Sequence, residues 1–132
     1  MLDSIKSLAR QYAADVVASR RHLHAHPELS FHEHNTARYV ADQLKAIGLT
    51  PREGIAGTGL TVTARILNVL CNEFEGTVKL VFQPAEEKAP GGASLMIKDG
   101  VLENPAPASM IGQHVAPNIP VGKIGFREGM YM

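Results

Sequence analysis

Two adjacent carboxylates, Glu86 and Glu87, follow Gln83-Pro84-Ala85 just past a run that reads as a β-strand. Open α/β sheets build their sites at such strand ends. Along a regular strand, neighbouring side chains point to opposite faces, so the pair can converge on one centre only in irregular backbone. Pro84 supplies that irregularity. Two carboxylates so placed can divide labour, one coordinating a divalent metal and the other taking a proton from the water that the metal activates. The same residues also fit a solvated acidic loop with Lys88 as neighbour.

His114, in Gly112-Gln-His-Val-Ala-Pro117, stands at the end of another expected strand. Its imidazole suits zinc binding or proton transfer near neutral pH, and equally a hydrogen-bonded place at a sheet edge. The remaining five of the six histidines, His22, His24, His26, His32 and His34, crowd one short window. Residues two apart on a helix do not face each other, so only His22 and His26 can chelate together, and Pro27 frays that end. A polar helix junction is the expected reading of the cluster. Cys71, in a predicted amphipathic helix, is expected as a small core residue. There is no CxxC pair, no phosphate-cradling glycine loop and no G-x-S-x-G elbow.

These residues sit in a chain of 132 residues with 13 Lys+Arg, 13 Asp+Glu and 45% hydrophobic residues. Such a chain suits one soluble globular domain able to bury a core. Zero net charge and the absence of a basic run argue against nucleic acid and against a polybasic membrane patch. No apolar run approaches the roughly 20 residues that span a bilayer, and the N-terminus lacks the apolar stretch of a signal peptide. A single cysteine fits a reducing compartment, so the expected location is cytoplasmic.

The elements that must position the candidates follow from periodicity. Ile5, Leu8, Tyr12, Val16 and Leu23 mark an amphipathic helix from Asp3 to about His24, stopped by Pro27. Ser30 and Glu33 have the spacing of a capping box, which predicts a second helix starting there. Its stripe is Ala37, Val40, Ala41, Leu44 and Ile47, and Gly48 ends it. The two helices are expected to form a hairpin-like unit. After a glycine-rich loop over 54–59, Leu60–Ala64 alternates like a strand. Helical spacing at Ile66, Leu67, Leu70 and Phe74 then begins with no connecting loop, a cramped junction. Thr77–Gln83 predicts a strand ended by Pro84, and Ala93–Lys98 a short helix closed by Gly100. Further strands are predicted around Met110–Val115 and Val121–Phe126. Alternating strands and helices imply an α/β sheet domain.

Taken together, Arg20-Arg21-His-Leu-His-Ala-His-Pro-Glu-Leu-Ser-Phe31, Gly57-Thr-Gly59, Phe74-Glu-Gly-Thr-Val-Lys-Leu80, Phe82-Gln-Pro-Ala-Glu-Glu87 and Gly112-Gln-His-Val-Ala-Pro117 resemble the M20 family of metal-dependent amidohydrolases. This is the branch of aminoacylase-like, hippurate-hydrolase-like and auxin-conjugate-hydrolase-like enzymes. The resemblance runs through essentially the whole chain, and Phe-Gln-Pro-Ala-Glu-Glu is its most specific part. It implies a three-layer α/β catalytic domain of the zinc-exopeptidase-like type, a smaller lid domain, and hydrolysis of N-acyl amino acids or related amides. By that resemblance Glu86 matches the general base, while Glu87 and His114 match metal ligands. The His24–Phe31 segment matches a part of the family that supplies no ligands. The metal expected is zinc or manganese, with cobalt and nickel suited to the same ligands.

The resemblance also shows what the chain lacks. Family members carry an Ala-Asp-Met-Asp-Ala strand end and a Cys-Gly-His-Asp motif between the counterparts of Val62 and Ile66, and neither occurs here. The gap falls at the cramped junction, so an internal deletion is expected near Ala64-Arg65. Residues 1–132 are then expected to be a single partial catalytic domain, without the lid and C-terminally truncated. Two metal ligands remain where catalytic zinc normally has three protein ligands, so impaired chemistry is expected. The rival expectation is a non-catalytic remnant or interaction module that self-associates through uncovered edges and apolar faces.

Overall fold

The computed structural model describes residues 1–51, 61–112, 118–120 and 122–125. Among them are five helices: α1 (Leu2–Gln11), α2 (Ala13–Ala25), α3 (His34–Lys45), α4 (Thr61–Val69) and α5 (Ala93–Lys98). The predicted first helix is present but interrupted. Tyr12 adopts φ −90° and ψ 0° between α1 and α2. Beyond α2, His26 and Pro27 leave the helical path, as a proline must force.

The second helix begins at His34, with Glu33 as its N-cap residue, and the predicted capping box does not form. Its first turn is closed instead by the side chain of Glu28. Glu28 Oε1 accepts from the Asn35 amide at 3.1 Å, and Oε2 accepts from the Thr36 amide at 2.7 Å. The second and third amides of α3, which have no partner within the helix, are thereby satisfied. At the other end the prediction holds. Gly48 takes φ +83°, and the amides of Gly48 and Leu49 bond back to the carbonyls of Lys45 and Leu44 at 2.9 and 3.1 Å. This is a Schellman closure, which needs a left-handed residue that glycine adopts without strain.

Over residues 61–64 helix α4 overturns the strand expected at Leu60–Ala64 and removes the cramped junction; Leu60 lies outside the described residues. Residues 61–69 form one continuous helix, with Ala64 and Arg65 in its middle. Thr61, Val62 and Thr63 favour strands only weakly and in context, and burial decides otherwise here. Ala64, 1% exposed, packs with Val40 and Leu44 of α3 and with Phe82. Ile47, Leu49 and Leu80 close around this core. Asn68 Nδ2 donates to the Ile47 carbonyl at 2.8 Å, tying α4 to the end of α3.

Arg65 joins the helical layer together. Its guanidinium pairs with Asp15 of α2 at 2.5 Å, donates to Gln43 of α3 at 3.0 Å, and lies 5.6 Å from the ring centre of Tyr12. Helix α1 packs on α4. Helices α2 and α3 meet where the Tyr39 hydroxyl donates to Ser19 Oγ at 3.1 Å.

Thr77–Gln83, predicted as a strand, is not paired into one, and neither Met110–Gly112 nor Gly122–Gly125 forms a strand; the rest of those two predicted strands lies outside the described residues. The segment is held by side chains. Phe82 enters the core. Lys79 Nζ donates to the carbonyls of Val101, Glu103 and Pro105 at 3.0, 2.5 and 3.3 Å. Helix α5 forms over its predicted residues and buries Met96. Cys71, expected in the core, is exposed, because α4 ends at Val69 and the following turn carries Cys71 outward. The glycine-rich loop expected over 54–59 lies outside the described residues. Among the described residues no helix is long and apolar enough to cross a membrane.

Candidate functional site

Pro84 to Glu87 forms a turn, the irregular backbone that the adjacent carboxylates require. Its pivot is Ala85, buried at 4% exposure and held at φ +49°. An L-residue other than glycine, asparagine or aspartate seldom takes this conformation, at a cost of roughly 1–2 kcal/mol. Three hydrogen bonds fasten the turn. The Ala85 amide donates to Glu33 Oε1 at 3.0 Å. The Lys88 amide donates to the Ala85 carbonyl at 3.3 Å, and the Gly92 amide to the Pro84 carbonyl at 3.0 Å. Gly92 and Pro84 are in such close approach that a Cβ at position 92 would stand 2.4 Å from the Pro84 oxygen.

Glu86 and Glu87 project from this anchored turn into solvent. Neither is in an ion pair among the described residues. Carboxylate oxygens are the donor type that divalent cations accept, so the pair fits a metal by its chemistry. Among the described residues no third His, Cys, Asp or Glu joins them in a group that could hold a metal ion. His114, the other expected ligand, lies outside the described residues.

Two histidines of the window, His22 and His26, are engaged in ring contacts where α2 meets α3. The His22 ring stacks on Tyr39 with centroids 4.2 Å apart, and His26 lies 4.5 Å from His22. His26 Nδ1 and the His22 carbonyl are 2.7 Å apart. A groove of about 820 Å³ runs between α3 and residues 78–82, but neither Glu86 nor Glu87 lines it.

Two residues escaped the sequence reading. Glu33 has the spacing of a capping-box partner, yet its carboxylate crosses to Ala85. Glu28 stands too far before α3 for any standard capping pattern. Its carboxyl is nevertheless lowered to a pKa of about 2 by the Thr36 amide first, with Asn35 assisting against a smaller opposing effect of burial. A carboxylate directly after Pro27, close before a helix start, is the signal that was available.

The model of Peptidase family M20/M25/M40 matches residues 54–129. A probable hydrolase of Synechocystis is 32% identical over 95% of this chain and 44% of its own length. The N-acyl-L-amino acid amidohydrolase of Geobacillus stearothermophilus is 30% identical over 98% of this chain and 49% of its own. An IAA-amino acid hydrolase of Arabidopsis thaliana is 27% identical over 86% of this chain and 37% of its own. The chain spans about half or less of the length of these curated relatives. No solved structure matches it significantly. The chain is a member of peptidase family M20/M25/M40.

Proposed function

We propose that the chain is part of an M20 catalytic domain, of the three-layer α/β, zinc-exopeptidase-like type, that hydrolyses N-acyl amino acids or related amides. The observation that carries the reading is the anchored turn, which presents Glu86 and Glu87 side by side to solvent beyond the buried Ala85. The relatives named N-acyl-L-amino acid amidohydrolase and IAA-amino acid hydrolase support the substrate class.

Glu87 and His114 would hold a divalent cation, zinc or manganese, with cobalt and nickel compatible. The chemistry that such a cation would supply there is Lewis acidity towards an amide carbonyl and a water molecule. Glu86 takes the proton of the attacking water and returns it to the departing amine. Its freedom from ion pairs among the described residues suits that exchange. The single cysteine favours a cytoplasmic, reducing setting.

An internal deletion near residues 64–65 limits this chemistry. The matches to the Synechocystis and Geobacillus relatives run over 178 and 182 aligned positions, more than the chain's 132 residues, so both relatives carry residues that this chain lacks. Helix α4 is continuous through the expected joint. With Glu87 and His114 as its only protein ligands, a cation would be held less tightly than by the three protein ligands usual for catalytic zinc, and catalysis by the chain alone would be impaired.

The test is calorimetric titration of zinc and then manganese into metal-free protein, repeated with Glu87→Ala and His114→Ala. Near-stoichiometric binding at about micromolar or tighter affinity, lost in both variants, supports the assignment and directs a screen of N-acyl amino acids. Binding that is absent, or unchanged in the variants, removes it and leaves a non-catalytic remnant or interaction module, for which self-association of the purified chain is the positive sign.

A further inference from the structure

We propose that Glu33 is a positioning residue for the Glu86–Glu87 pair: by accepting the Ala85 amide it fixes the turn from which both carboxylates project. The proposal rests on the reading of that pair given above and assigns a role to a residue outside it.

The argument begins with Ala85. Its left-handed backbone is unfavourable for alanine and persists only where the surroundings over-determine it. Its amide is the group that Glu33 engages, at 3.0 Å and from 52 residues away in sequence. Without that acceptor a largely buried N–H would be left without a protein partner. Ala85 immediately precedes Glu86, so a rotation of its backbone swings both carboxylates together.

Glu33 is well placed to resist such a rotation. It is half-buried and is the N-cap residue of α3. The first turn of α3 is fastened by Glu28 through Asn35 and Thr36. A chain of contacts therefore leads from Glu28, through the start of α3 and Glu33, to the acidic turn. Residues that orient metal ligands without touching the metal commonly account for about 10–100-fold in metal affinity.

The experiment compares wild type, Glu33→Ala and Glu33→Gln in the 132-residue chain, with two readouts. The first is hydrogen exchange of the Ala85 amide, followed by NMR without metal. The second is affinity for zinc or manganese by calorimetry. In Glu33→Ala, Ala85 exchanges at least about tenfold faster and the metal binds about tenfold more weakly. Glu33→Gln, whose side-chain carbonyl still accepts the amide, restores both values towards wild type. Unchanged Ala85 exchange in Glu33→Ala overturns the proposal. Faster exchange with unchanged metal affinity also overturns it, leaving Glu33 a structural contact only. Failure of Glu33→Gln to restore either readout counts against it in the same way. If the wild type binds no metal, the reading of Glu86 and Glu87 falls with the positioning role, while Ala85 exchange still reports whether Glu33 holds the turn.

Discussion

The Glu28 carboxylate accepts the Thr36 amide at 2.7 Å and holds the first turn of α3 from outside the helix. Ionised, it is an acceptor for two orphan amides at the positive end of the helix dipole; protonated, it is a poorer one.

Stability should therefore depend on pH through Glu28. Its pKa falls from the ordinary 4.5 to about 2 on folding. A lowered folded-state value means a contribution fully present above about pH 4.5 and lost as pH falls towards 2. Glu28→Gln should melt below wild type at pH 7, and the gap should close by about pH 2. Thermal unfolding followed by circular dichroism across that range checks this; a gap independent of pH would contradict it.

From α4, Arg65 reaches α2, α3 and the Tyr12 ring from a half-buried position. Asp15→Ala removes only a partly exposed ion pair and should cost roughly 0.5–1 kcal/mol. Arg65→Ala also strands Gln43 and uncovers Tyr12, so about 2 kcal/mol is expected. Urea unfolding of the two single variants and the double variant gives the coupling, which should be lower in 1 M salt.

Gly92→Ala places a methyl against the Pro84 oxygen and ring. The backbone must shift to accept it, at a cost of roughly 1–3 kcal/mol. Because Pro84 opens the acidic turn, the amide resonances of Ala85 to Lys88 should move more than those of α2. Shifts confined to residues next to position 92 would refute the coupling.

Phe82→Ala should lower stability by about 3 kcal/mol. Its ring is the main contribution of the 77–83 segment to the core formed with Val40, Leu44 and Ala64. A domain of ordinary stability holds only about 5–15 kcal/mol in total. The midpoint of chemical unfolding should fall accordingly, while helix α1, distant in sequence and packed on α4, keeps its signal until the cooperative transition.

The sequence made some of these relationships visible and hid others for physical reasons. The stripe of α3, its Gly48 closure and the short helix α5 were legible because they depend on residues close in sequence. The acidic turn was legible because proline and the adjacent carboxylates announce it. The helical state of Thr61–Ala64 was not, because burial of Ala64 against α3 outweighs the strand preference of three β-branched neighbours. The spacing of Ser30 and Glu33 points to a local partner, whereas Glu33 accepts the Ala85 amide, and nothing local encodes a bond across 52 residues. The helical periodicity continues in sequence to Phe74, past Val69 where α4 stops, and so points Cys71 to the core although it is exposed.

The exposure of Cys71 has a practical side. It is the only thiol in the chain and it faces solvent just after α4. A maleimide dye or nitroxide can be attached there without engineering any other cysteine away. The chain thus comes with a built-in reporter position outside the acidic turn, and purification without a reductant would join molecules in pairs through that same sulfur.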